Sequence, residues 1–148
     1  MSYSIESITE SIGARRMGNA PATIDWLLTD SRSLNFPEET LFFALTTKRN
    51  DGARYLAGLY ARGGRKFVLS EGSFRLMDNG QLTIDNAMQR DDAQSIVNYL
   101  IVPNPLKALQ KLAEQHRNRF QIPVIGITGS NGKTVVKEWL HQLLSPER

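Results

Sequence analysis

The 148 residues contain no cysteine, which excludes disulfide scaffolds, thiolate metal sites and cysteine nucleophiles. Such usage fits a reducing compartment, and a cytoplasmic location is expected. Histidine is scarce as well. His116 and His141 lie in stretches of helical period without partners at metal-ligand spacing, so both read as ordinary helix residues. No apolar run approaches the roughly 18 residues needed to span a bilayer. The opening MSYSIE has neither the basic nor the apolar region of a signal peptide, so no membrane insertion is expected. A basic stripe of the kind that binds nucleic acid is missing too. Eighteen Lys and Arg against fifteen Asp and Glu leave a formal charge of +3. The excess is uneven: residues 104–148 hold seven basic and three acidic residues, and the preceding stretch eleven and twelve.

What is present is the balance of a globular chain, 41% hydrophobic and 22% charged. Ile5, Ile8 and Ile12 fall at helical spacing, with Ser4 as cap and Gly13 as stop. Residues 23–29 (TIDWLLT) and 40–45 (TLFFAL) read as strands, joined by a loop rich in the turn formers Asp30, Ser31, Asn35 and Pro37. A polar loop through Lys48, Arg49 and Asn50 follows. Residues 53–62 then give a short helix with Leu56, Leu59 and Tyr60 on one face, stopped by Gly63-Gly64. Residues 66–70 (KFVLS) read as a strand, and this element order suggests a small α/β sheet. Residues 71–94 show no sustained period, although Asp78-Asn79-Gly80 marks a turn. Residues 95–102 (SIVNYLIV) recover a strand-like run. Pro103-Asn104-Pro105 breaks the chain, and the domain boundary is placed there. Asn104 caps the next helix and Pro105 suits its first turn, with Leu106, Leu109, Leu112, Ala113 and His116 as its stripe. Trp26 and Trp139 read as core residues. Asp91-Asp92 reads as a solvated turn rather than a metal pair.

The sharpest signal lies further on. Residues 122–128 (IPVIGIT) form a near-continuous apolar run, as expected of a strand buried on both faces of a parallel sheet. It leads directly into Gly129-Ser130-Asn131-Gly132-Lys133-Thr134. Val136, Trp139, Leu140, Leu143 and Leu144 then recur at helical spacing. Strand, glycine loop, Lys-Thr and amphipathic helix in that order are what a phosphate-binding loop requires. Gly129 and Gly132 free the backbone so that N–H groups converge on phosphate oxygens. The helix aims its unpaired N–H groups and positive dipole end at the same point. Lys133 would reach the terminal phosphates and Thr134 would ligate Mg²⁺. The strict pattern is not met, since Ile127 stands five positions before Gly132 where glycine is expected. The form here is Thr128-Gly129-Ser130-Asn131-Gly132-Lys133-Thr134.

The run VIGITGSNGKTVVKEWL resembles the phosphate loop and following helix of the Mur ligases, the ATP-dependent amide-forming enzymes of peptidoglycan precursor synthesis. The continuation Val136-Lys137-Glu138 leans toward the member that joins D-alanyl-D-alanine to UDP-N-acetylmuramoyl-tripeptide. A second stretch agrees. Thr29-Asp30-Ser31-Arg32, Pro37 and Leu41-Phe42-Phe43-Ala44-Leu45 are similar to the family's T-D-S/T-R…P-G-x-L-F-V-A-L segment. Asn50-Asp51-Gly52 and Gly63-Gly64 fall where the family has its next loop and helix end. Glu38-Glu39 departs from the pattern, where the family usually has glycine. The opening through Asp25-Trp26 also looks like the form fused to an alanine racemase, which would bring PLP only outside these residues.

The resemblance implies an α/β fold: a small mixed-sheet N-terminal domain over 1–103 that binds the UDP-sugar, then 104–148 as the first helix, strand, glycine loop and helix of a truncated Rossmann-like ATPase domain. It implies that Thr128, Gly129, Ser130, Asn131, Gly132, Lys133 and Thr134 hold the ATP phosphates, with Lys133 and Thr134 catalytic and Thr134 on Mg²⁺. Ser31 and Arg32, with Asn50 and Asp51 nearby, become candidates to contact the uridine diphosphate. An Arg suits a diphosphate and a short hydroxyl suits a uracil or phosphate edge. The implied reaction activates the substrate carboxylate as an acyl phosphate that an amine attacks. Further catalytic residues of the family lie beyond Arg148, so this chain, read as a monomer, is expected to be inactive by itself. Two other readings remain open: another step of the same ligase series, adding a diamino acid, and a stand-alone small NTP-binding module.

Overall fold

Local signals alone account for the first helix, α1 (Ile5–Ile12). The Ser4 side chain accepts a hydrogen bond from the Ser7 N–H at 3.1 Å, and Gly13 closes the helix at φ 67°, donating its N–H to the Glu10 carbonyl. Ile5, Ile8 and Ile12 turn one face inward and are buried, each such side chain contributing about 1.5–3 kcal/mol when fully covered. The computed structural model describes residues 2–47, 51–78 and 96–145. Lys48, Arg49, Asn50, Asn79, Gly80, Asp91 and Asp92 therefore lie outside the described residues.

The organising element is a mixed five-stranded sheet. Its strands are β2 (Arg15–Met17), β4 (Trp26–Leu28), β5 (Thr40–Phe43), β6 (Lys66–Ser70) and β7 (Asn98–Val102), in the spatial order β2-β7-β6-β5-β4. All pairings are parallel except that of β2 with β7. β1 (Tyr3–Ser4) and β3 (Thr23–Ile24) form a separate antiparallel pair.

Side-chain alternation sends the central strands into two cores. Leu41, Phe43, Val68, Leu100 and Val102 face α1 and the helix α4 (Pro105–Asn118). Phe42, Ala44, Phe67 and Leu69 face the opposite layer, made by α2 (Leu56–Ala61) and α3 (Glu71–Asp78) through Leu56, Leu59 and Met77. Both faces are thus covered, which is why Leu41–Phe43, Phe67–Leu69 and Leu100–Val102 are apolar at every position.

The structure corrects several expectations. Residues 23–29 do not form one strand. They switch partners at Asp25, whose N–H donates to the Glu39 carbonyl at 3.0 Å, so the two halves join different sheets. Trp26 is not a core residue: it sits on the edge strand β4, 52% exposed, with its ring stacked on Phe36 at 5.3 Å. The helix expected over 53–62 opens as a 3₁₀ turn, Gly52–Tyr55, before α2. The first part of the unreadable segment 71–94 is α3.

Asn104 and Pro105 begin α4 as expected, the Asn104 side chain accepting from the Lys107 N–H at 3.0 Å. Its buried face is Pro105, Ala108 and Leu112, while Leu106, Ala113 and His116 are exposed. The face is rotated because the helix packs against α1, which brings Ala108 into the shared core beside Leu112, with Leu109 packed at its margin. The chain break at Pro103 is therefore not a break in packing. His116 instead engages the Tyr3 hydroxyl through Nδ1 and lies edge-on to Phe120. No helix among the described residues is long and apolar enough to cross a membrane.

Candidate functional site

Two places in the chain combine the residues singled out above. The first is an open cleft of about 420 Å³ at the carboxyl ends of the parallel strands β4 and β5. One wall is Thr29, Asp30, Ser31 and Arg32; Phe42 and Leu45 come from β5 and the residues after it; Gly52 and Tyr55 complete the other wall. The carboxyl end of parallel strands is where open α/β sheets bind ligands, because the loops leaving adjacent strands diverge there.

The Thr29–Arg32 wall is shaped from within. Asp30 caps a 3₁₀ turn, Ser31–Ser33, by accepting the Arg32 N–H at 3.0 Å. The Arg32 guanidinium folds back on the same carboxylate, with Nε 3.0 Å from Oδ1 and Nη2 2.6 Å from Oδ2. Those bonds hold the Asp30 carboxyl down at about 2, well below its ordinary 3.8. Arg32 is 88% exposed at the cleft's rim. An exposed pair of this kind is weakly held, so its head can be transferred to another anion.

The opposite wall is fixed by Asp51. Its Oδ1 accepts the Ala53 N–H at 3.0 Å and the Thr46 hydroxyl at 3.3 Å, and its Oδ2 accepts the Ser73 hydroxyl at 2.9 Å. The carboxylate thus engages the protein's own donors and does not line the cleft, whereas its neighbour Gly52 does. A Cβ at Gly52 would stand 2.8 Å from Ala44 main-chain atoms, so a close backbone approach accounts for the glycine. Asn50 lies outside the described residues. Tyr55, Phe42 and Leu45 were not expected at the site. An aromatic residue two positions after the Asp-Gly-Ala turn was the one signal that could have found Tyr55.

Glu38 and Glu39 close the loop below this cleft in a second 3₁₀ turn, Pro37–Glu39. No residue other than glycine has positive φ among the described residues, so the turn has no need of the family's glycine. The Lys66 ammonium donates to the Glu38 carbonyl. Desolvation lowers its pKa, with Glu38 and Glu39 opposing the shift.

The second place is the glycine loop. Gly129 and Gly132 take φ 142° and 77°, the left-handed region that glycine alone enters freely. Gly132 also caps the helix α5 (Lys133–Leu144) without a side-chain bond, and the Val136 N–H makes the first intrahelical bond at 3.0 Å. The N–H groups of Lys133, Thr134 and Val135 therefore open toward the loop. Lys133 folds across it, its ammonium donating to the Gly129 carbonyl. Glycines in these conformations, open amides and a lysine over the loop are a donor set suited to phosphate oxygens, and the Thr134 hydroxyl on the first turn suits a magnesium ion.

The order of segments around the loop is as read, but residues 122–128 pair with no strand among the described residues. Ile122, Val124 and Ile125 are exposed, with Ile127 half-buried against α5. A strand's amides need a neighbouring ladder, and an apolar run does not supply one. For the same reason Trp139 is 63% exposed rather than buried in a core.

No family model matches the chain. Curated relatives do. A UDP-N-acetylmuramoyl-tripeptide–D-alanyl-D-alanine ligase of Synechocystis is 30% identical over 122 residues, 82% of this chain and 23% of that protein. The Haemophilus influenzae protein of the same name is 25% identical over 137 residues, 93% of this chain and 25% of its own. The Bacillus subtilis one is 42% identical over 48 residues, 32% of this chain and 10% of its own. The chain thus spans about a quarter of the length of the first two. Among solved structures, MurF from Acinetobacter baumannii superposes with a TM-score of 0.72 at 24% identity, covering 97% of this chain and 28% of that one. That likeness speaks for the fold, and a mixed sheet with helices on both faces is what it shares. Sequence and fold together place the chain in the Mur ligase family, as an N-terminal stretch of the kind found in its UDP-N-acetylmuramoyl-tripeptide–D-alanyl-D-alanine ligases.

Proposed function

We propose that the chain is the substrate-holding part of an ATP-dependent amide ligase that joins D-alanyl-D-alanine to UDP-N-acetylmuramoyl-tripeptide in the cytoplasm. Residues 1–103 take the UDP end of the substrate, and residues 104–148 begin the ATP-binding unit, with α4 docked on the first. The observation that carries this reading is the cleft at the ends of β4 and β5, where Ser31 and Arg32 face Gly52 and Tyr55 across one space.

Each wall has a chemical task. Arg32 leaves Asp30 for the diphosphate, the planar guanidinium fork exchanging a carboxylate's two oxygens for two phosphate oxygens. The Ser31 hydroxyl serves a uracil or phosphate edge, Asp51 holds the facing loop, and Tyr55 offers an aromatic surface. At the glycine loop, Thr128, Ser130 and Asn131 frame the amides between Gly129 and Gly132 that cradle the ATP phosphates. Lys133 trades the Gly129 carbonyl for a terminal phosphate, and Thr134 holds Mg²⁺. The metal, when bound, draws charge from the phosphate oxygens. Positive groups fixed at that point are the main means of lowering a phosphoryl-transfer barrier. Carboxylate activation as an acyl phosphate is the reaction they serve in the longer enzyme.

Residues 1–148 alone are expected to bind without ligating, since no described strand flanks the loop to build a nucleotide pocket. Calorimetric titration with UDP-N-acetylmuramoyl-tripeptide, UDP and Mg-ATP tests the assignment. Binding of the UDP ligands that Arg32→Ala weakens supports it. Tight Mg-ATP binding with no response to UDP ligands would make the chain a stand-alone NTP-binding module instead. A tripeptide carrying another third residue, or its dipeptide precursor, distinguishes this ligase step from its neighbours. Ligation measured with these 148 residues would refute the binding-only role.

A further inference from the structure

We infer that Arg62, which does not line the cleft, is the positioning residue that sets the distance between its two walls. The inference rests on the substrate assignment above and extends it to a residue that neither motif contains. The Ser31–Ser33 turn is shaped internally by Asp30, but those bonds connect the turn only to itself: the Arg32 N–H and side chain go to the Asp30 carboxylate, and the Ser33 N–H goes to the Asp30 carbonyl at 3.1 Å. A turn closed on itself keeps its shape and can still shift as a body. Arg62 supplies the tie. Its Nη1 donates to the Ser31 carbonyl at 2.7 Å and its Nη2 to the Leu34 carbonyl at 2.8 Å. One planar guanidinium thereby grips both ends of the segment that presents Ser31 and Arg32.

The origin of that grip is the important point. Arg62 is the C-cap of α2, where its own N–H reaches the Leu59 carbonyl at 3.1 Å. The same short helix grows directly out of the Gly52–Tyr55 turn, the opposite wall of the cleft, through the Leu56 N–H to the Ala53 carbonyl. Leu56 and Leu59 bury the helix in the core between them. One rigid element therefore carries one wall at its start and holds the other at its end. Gly63, at φ 93°, and Gly64, whose N–H returns to the Leu59 carbonyl at 2.9 Å, turn the chain sharply enough to leave Arg62 facing the loop. Lysine at 62 keeps the charge but has a single nitrogen for two carbonyls.

The test uses the full 148-residue chain labelled with ¹³C and ¹⁵N, as wild type, Arg62→Ala and Arg62→Lys. UDP-N-acetylmuramoyl-tripeptide and Mg-ATP are titrated separately, and the carbonyl shifts of Ser31 and Leu34 are followed. Arg62→Ala should move both carbonyl shifts and weaken the UDP ligand about tenfold, leaving the Mg-ATP response unchanged. Arg62→Lys should fall between the two, and it keeps the test in place if the alanine variant fails to fold. Added methylguanidinium should restore part of the lost UDP affinity in Arg62→Ala. Wild-type binding that survives both substitutions within about twofold overturns this inference alone. So does an equal loss for both ligands, which marks a merely structural role. A wild-type chain that ignores the UDP ligand overturns the substrate assignment first and the inference with it.

Discussion

Alanine at position 52 should loosen the fold and the cleft together, for a reason that can be worked from distances. Gly52 is buried, and a Cβ placed there stands 2.8 Å from Ala44 C, Ala44 Cα and Leu45 N. All three are main-chain atoms, so no side chain can rotate away. Either the end of β5 moves or the 3.0 Å bond from the Gly52 N–H to the Leu45 carbonyl stretches. Overpacking of this kind costs about 1–3 kcal/mol. For a chain of this size each kcal/mol lowers the melting midpoint by about 2–4 °C, so Gly52→Ala should melt about 2–12 °C lower. Gly58 is the control. It lies within α2, and a Cβ there meets nothing within 4 Å. Alanine in a helix interior is favoured over glycine by about 0.5–1 kcal/mol, so Gly58→Ala should melt about 1–4 °C higher. Calorimetric melting of both variants, with UDP-ligand titration of each, checks the pair. A Gly52→Ala chain that melts at or above wild type, or two shifts of the same sign, would refute the steric reasoning.

Other expectations follow from single sites. Asn98, 1% exposed, accepts from Arg16 Nε at 2.9 Å and donates to the Ala20 carbonyl at 3.0 Å; Asn98→Ala should cost about 2–4 kcal/mol, read as a lower urea midpoint at unchanged slope. The Asp30 carboxyl titrates near 2 against an ordinary 3.8, because Arg32 bonds to its charged form. A depressed carboxylate stabilises the turn above the ordinary value, and that contribution fades as pH falls through about 2. An NMR titration of the Asp30 side-chain carbon should show this midpoint move up toward the ordinary range in Arg32→Ala, and an unmoved midpoint would exclude the pair as its cause. Lys133→Ala should weaken Mg-ATP at least about tenfold in a fluorescence titration and leave the UDP response intact; equal losses for both would break the separation of the two sites.

What could be read beforehand was whatever depends on neighbours in sequence. Ser4, the three isoleucines and Gly13 define α1 without help from the rest of the chain. Leu41-Phe42-Phe43 and Phe67-Val68-Leu69 are apolar at every position because both sides of the sheet are covered. Choice of partner was not legible. Nothing local distinguishes Ile24, which joins the β1 pair, from Trp26, which joins the edge of the main sheet. Trp26 is exposed because the edge strand has a neighbour on one side alone. On α4, Leu109 and Leu112 of the expected stripe do face the core, while contact with α1 brings in the smaller Ala108 and leaves Leu106, Ala113 and His116 exposed. Of the candidate site, the Thr29–Arg32 wall and the glycine loop were visible as motifs. The ties that place them were not. Arg62 lies 31 residues from the carbonyl it holds, and Asp51 lies 22 residues from Ser73.

The two anion-seeking places differ in how they gain their strength, and that difference orders their expected affinities in this chain. The cleft has its walls set by packed elements: Leu34, Leu56 and Leu59 are buried, and Ser73, which holds Asp51, is 3% exposed. Little conformational freedom is left to lose on binding there. At the glycine loop the shape is set by two glycine dihedrals, while Val135 and Val136 on the first turn beside it are exposed. Amide dipoles and a lysine charge in that setting act through a high dielectric, where each contact yields a fraction of its strength in a closed site. The loop's geometry suits phosphate, yet its surroundings keep the attraction weak. The UDP ligand should therefore bind these 148 residues more tightly than Mg-ATP does, and the reverse order would mean that dihedral preorganisation outweighs solvent exclusion in this loop.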